Sequence, residues 1–125
     1  MPSSSVDFVY CSHVLEHLSL EDLRLALIEV SRILRPGAIF RGILPDLESE
    51  VHYYVADVLP DACSTFMRRT FLGQERRPRG LISRLRGLIG NSQHLWMWDF
   101  KGLAAELENA GFVHIRRAVF NDSAY

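Results

Sequence analysis

The sequence predicts an α/β fold built on a parallel βαβ unit. Three features predict it: a short apolar stretch at 6–11, a capped amphipathic helix soon after it, and a second apolar stretch closed by Pro45. Val6-Asp7-Phe8-Val9-Tyr10-Cys11 is rich in β-branched and aromatic residues and barely alternates, so it reads as a strand buried on both faces. Ser19 is placed to cap the next helix, with Asp22 in a capping-box role and Glu21 and Asp22 favoured by the helix dipole. Leu20, Leu23, Leu27, Ile28 and Leu34 recur at helical spacing. Arg32 and Arg35 suit the last turn and Pro36-Gly37 ends it, which puts the helix at about 20–34. Ala38-Ile39-Phe40-Arg41-Gly42-Ile43-Leu44 is a second strand, ended by Pro45-Asp46. Strand, helix and strand in this order make a right-handed crossover with the strands parallel.

Residues 47–98 are less regular. Val51, Tyr54, Val55 and Val58 suggest one helix, and Pro60, Gly73, Pro78, Gly80, Gly87 and Gly90 interrupt the rest. The stretch is too long for a simple loop and reads as an inserted, partly helical cap within a single domain spanning 1–125. Asp99 caps a second amphipathic helix, with Leu103, Leu107 and Ala110 on one face and Gly111 at its end. Phe112 to Phe120 alternates and is expected to form a third strand, near an edge.

At 125 residues and 48% hydrophobic, the chain suits one globular domain. No apolar run approaches the roughly 20 residues of a membrane helix, and no membrane association is expected. Cys11 and Cys63 do not make a disulfide framework, so a reduced, cytoplasmic setting is expected. Arginines 68, 69, 76, 77, 79, 84 and 86 crowd together with only Glu75 among them. They lack interleaved aromatics and any accompanying motif, so a solvated basic face is favoured over a nucleic-acid surface.

His13-Val14-Leu15-Glu16-His17 spells H-x-x-E-H, the pattern of an inverted zinc-protease site when it lies on a helix. Here the helix begins at Ser19, after both histidines, and only Glu48 and Glu50 offer a third ligand, by residue type alone. No metal is therefore expected. The stretch instead leaves the C-terminal end of a strand, where open α/β sheets bind ligands; the plain alternative is a pair of ordinary loop histidines.

The segments SVDFVYCSHVLEHL, LIEVSRILRPGAIFRGILPDLE and HLWMWDFKGLAAELENAGF add a resemblance. Together they look like the C-terminal half of a class I S-adenosylmethionine-dependent methyltransferase, most similar to the type 11 methyltransferase family. The resemblance implies a partial Rossmann-like fold and a small-molecule substrate. It puts Cys11, Ser12 and His13 beside the methionine part of the cofactor. Glu16 and His17 would face the cofactor or the substrate entrance, Asp46 would mark the substrate side, and the cap would select the substrate. His94, where the cap returns, is the one candidate base; otherwise it is a surface loop histidine, and no catalytic residue is assigned.

The family's cofactor half is not found. No G-x-G is present, and no strand precedes Val6 to supply the glycine-rich turn or the acid that holds the ribose. The chain is thus expected to resemble half an enzyme and not to bind S-adenosylmethionine alone. Three functions compete: the C-terminal part of a methyltransferase, a non-catalytic self-associating remnant, and a basic nucleic-acid-binding module. Open sheet edges, or an exchanged cap, lead to the expectation of a homodimer.

Overall fold

The structure is a computed structural model, and it describes residues 1–73, 75, 93–119 and 121–122. Strand β1 spans Val6–Ser12 and leads through a short 3-10 turn, Leu15–His17, into α1, Leu20–Ile33. Strand β2, Leu34–Ile43, follows without a loop. Then come α2, Leu47–Ala56, α3, Ala62–Arg69, and α4, Phe100–Asn109. The two strands pair in parallel, as the βαβ reading requires.

The starts of α1, α2 and α4 are set by side chains visible in the sequence. Ser19 Oγ accepts from the Asp22 amide at 3.1 Å and donates to its carboxylate at 2.7 Å, so Asp22 closes the cap through the hydroxyl. Asp99 caps α4 through the Gly102 amide at 2.7 Å. Gly111 ends α4 in the left-handed region, at φ +91°, where a Cβ would be strained.

Two expectations need correction. The second strand begins at Leu34, not at Ala38. Leu34 pairs with Val6 and Ile39 with Phe8, so β2 takes an excursion between these contacts. Pro36 has no amide hydrogen to give a ladder and Gly37 adopts φ +81°, so Pro36-Gly37 bends the strand it was expected to precede. The other correction is the third strand. Among the described residues the sheet has two strands, and 112–119 is irregular chain without a ladder. His114 sits at φ +57°, which breaks the alternation, and only Phe112 and Ile115 pack onto the core while Val113 and Val119 stay exposed. Helix α3 was not foreseen.

The core forms where α1 meets the 3-10 turn and α4. Leu23 and Leu27 are fully buried against Leu15, Trp98 and Leu107, with Cys11, Phe40, Leu103 and Phe112 packed around them. Arg24 clamps Glu106 with two hydrogen bonds, 2.9 and 2.7 Å, which ties α1 to α4. Those bonds hold the Glu106 carboxyl below its ordinary value. In a parallel pair, partner residues point to the same face, so Phe40 and Cys11 lie on the covered side. On the other side Tyr10, Ile39 and Ile43 are 54%, 41% and 42% exposed. The helices therefore cover one face of a sheet that was expected to need cover on both. Among the described residues no helix is long and apolar enough to cross a membrane.

Candidate functional site

The site begins where β1 leaves the sheet. Ser12 is the last strand residue, and His13 continues the ladder by donating its amide to the Ile43 carbonyl at 2.9 Å. His13 then turns at φ +52°, a conformation uncommon for a residue with a Cβ. The 3-10 turn closes through the His17 amide to the Val14 carbonyl at 3.0 Å. Burial of Leu15 in the core drives this turn inward and carries Glu16 with it. Glu16 is only 1% exposed.

The chain returning from the cap closes over this turn. The Leu95 and Trp96 amides both donate to the Glu16 carbonyl, at 2.8 and 3.2 Å, and the His94 amide donates to the Phe71 carbonyl at 3.3 Å. The His94 ring lies 5.1 Å from the His17 ring, edge to face, and 5.2 Å from the Phe71 ring. Just before Phe71, Thr70 is fully buried and its hydroxyl donates to the Phe66 carbonyl at 2.7 Å, which anchors that end of the cap. The fold thus brings together Glu16, His17 and His94, whose ligand atoms lie within 4.8 Å of one another.

The remaining candidates are placed differently. His13 is exposed, and its Nδ1 lies 3.2 Å from Glu16 Oε1. Asp46 is the N-cap of α2: it accepts from the Glu48 amide, the Ser49 hydroxyl and Arg117, at 3.2, 3.1 and 2.8 Å. Burial pushes the Asp46 carboxyl up, but these hydrogen bonds outweigh it and hold the group below its usual value. Glu48 pairs with Arg117 and Glu50 with Arg69, so neither joins the histidines. Arg69 also lies over the Tyr53 ring at 4.7 Å. Of the arginine cluster, 76, 77, 79, 84 and 86 lie outside the described residues. Sequence reasoning missed the pairing of Asp46 with Trp98, a parallel bridge that seats the start of α4 beside the end of β2. The W-M-W-D run before the α4 cap was its available signal.

Cys11 is half-buried, and burial together with the Glu16 carboxylate pushes its thiol up from the ordinary value. Cys63 is exposed on α3. Because the thiolate is the nucleophile, iodoacetamide near neutral pH is expected to alkylate Cys63 at least about tenfold faster than Cys11. Peptide mass spectrometry over a time course checks this, and equal rates would mean that Cys11 is more open than the structure has it.

The residues present fit only part of S-adenosylmethionine. Ser12 and His13 at the end of β1 are polar and reachable, as the methionine end requires. The described glycines with positive φ, Gly37 and Gly111, lie elsewhere, so no glycine turn lets backbone approach the nucleoside here.

No curated protein and no solved structure matches the chain. Residues 1–41 match the model of a family described as a methyltransferase domain, which supports methyltransferase-like character. That span includes β1, the 3-10 turn, α1 and most of β2, while Asp46 and His94 lie beyond it. The part of the chain similar to a methyltransferase domain is therefore the βαβ unit that carries Cys11, Ser12, His13, Glu16 and His17.

Proposed function

We propose that the chain acts as the acceptor-side part of an S-adenosylmethionine-dependent small-molecule methyltransferase and does not bind the cofactor alone. One observation carries this reading. The family match coincides with a parallel βαβ unit whose outgoing loop holds Ser12 to His17 at the C-terminal end of a strand, where open α/β sheets bind their ligands. The cap segment at 93–96 folds against that loop, as a substrate-selecting element would. The groove of about 1290 Å³ between β2 and the 112–119 stretch adds support, because it leaves room beside the β2 edge for a further strand.

Isothermal titration of S-adenosylmethionine into the 125-residue chain is expected to show binding weaker than about 1 mM, or under about 4 kcal/mol. A low-micromolar dissociation constant would show a complete cofactor site and end the half-site reading.

A second reading, non-catalytic self-association, is favoured by the uncovered sheet face with Tyr10, Ile39 and Ile43. Paired edges or faces would form a symmetric homodimer. Light scattering that finds a stable monomer at micromolar concentration would exclude it.

A further inference from the structure

We propose that Glu16, His17 and His94 form a binding site for a first-row divalent transition-metal cation of the zinc class. The expectation of no metal was argued for the His13–His17 pair, which would have had to share a helix face. This trio escapes that objection, because its third member comes from the far end of the cap.

Three features point to a cation. The first is an imbalance of polar atoms. Glu16 is 1% exposed, and its Oε2 is buried with no hydrogen-bond partner among the described residues. The Nδ1 of His94 is likewise buried and without a partner. A buried polar atom left unpaired costs about 1–3 kcal/mol, more for a charged group, so a ligand shared by these two residues would relieve both. The second is tautomer. His17 Nδ1 lies 3.1 Å from the Gln93 carbonyl, which can only accept, so Nδ1 carries the hydrogen and Nε2 is the ring nitrogen free to take a metal. A backbone carbonyl holding the far nitrogen is the usual support of a metal-binding histidine. His13 supports Glu16 in the same way, through Oε1.

The third is geometry. One ligand atom from each residue lies within 4.8 Å of the others. Ligands at about 2.0–2.1 Å from a tetrahedral zinc stand roughly 3.4 Å apart. The trio therefore has to draw in by about 1.5 Å or less, within reach of side-chain rotation. Two imidazoles and one carboxylate suit zinc or its neighbours, whereas calcium and magnesium prefer oxygen alone. Three protein ligands leave one position open for water or another small ligand. The site stands on this geometry and not on the methyl-transfer reading.

The test uses the full chain, purified without a histidine tag, stripped with chelator and titrated with Zn²⁺ and with Co²⁺ as a spectroscopic probe. One metal per chain is expected, with tetrahedral Co²⁺ bands in the visible and no thiolate charge-transfer band. His94→Ala should weaken Zn²⁺ binding at least about tenfold, and His52→Ala, on the exposed face of α2, should leave it unchanged. His94→Cys should restore binding and introduce a Co²⁺–thiolate band absent from the wild type. Should the alanine variant fail to fold, that new band decides the matter. Well under one zinc per wild-type chain, binding that survives His94→Ala in a folded protein, or a thiolate band in the wild type that moves the metal to Cys11 would each overturn the proposal.

Discussion

Replacing Leu23 by alanine is expected to cost about 2–5 kcal/mol, a large share of the stability of a domain this size, and to lower its urea midpoint clearly. Leu23 has no exposed surface, and it sits at the centre of the contact between α1, the 3-10 turn and α4. Among the described residues only six apolar side chains are buried, and of these only Leu23 and Leu27 completely, so there is little other core to share the loss. A typical domain has about 5–15 kcal/mol of net stability. Removing the γ and δ carbons loses their transfer energy and leaves a cavity that Leu27 and Leu15, held by the helix and the turn, cannot fill. Urea denaturation followed by circular dichroism measures the change. A midpoint within error of the wild type would mean that α1 does not pack as described. Leu25→Ala is the matched control: Leu25 is 60% exposed on the same helix, and its loss should cost under about 0.5 kcal/mol.

Trp98 predicts a contrast between two substitutions at one position. Trp98→Ala is expected to cost about 3–5 kcal/mol. The indole is 6% exposed and packs in the core, so its removal leaves a cavity there while the backbone bridge to Asp46 stays. Trp98→Phe should cost far less, under about 1.5 kcal/mol. Phenylalanine fills most of the volume and removes a liability, because the buried indole Nε1 has no hydrogen-bond partner among the described residues. Thermal and urea midpoints of the two variants decide it. Equal losses would mean that the indole nitrogen is satisfied in solution and contributes to stability.

Much of this fold was legible because its causes are local. The Ser19 and Asp99 caps, the spacing of Leu20, Leu23 and Leu27, and the apolar runs at 6–11 and 38–44 each act within a few residues. Their hydrogen bonds and periodicity are written in the order of the side chains. Even the placement of H-x-x-E-H before the helix followed from the single serine at 19.

What the sequence could not reveal depends on contacts between distant segments. Pro36-Gly37 has the composition of a stop, but the pairing of Leu34 with Val6 decides that it becomes an excursion within β2. Phe112 to Phe120 has the composition of a strand, but a strand needs a partner edge, and the left-handed turn at His114 directs Phe112 and Ile115 to the core instead. The site shows the same division. Glu16 and His17 were legible as the loop leaving a strand. That Glu16 is buried, and that His94 stands beside it, was decided by tertiary structure alone. The Leu95 and Trp96 amides reach the Glu16 carbonyl, and Gln93 reaches His17 across a separation of 76 residues. Closing a loop that long is repaid only by core burial at both ends, of Leu15 and Trp98, and no local pattern encodes that balance.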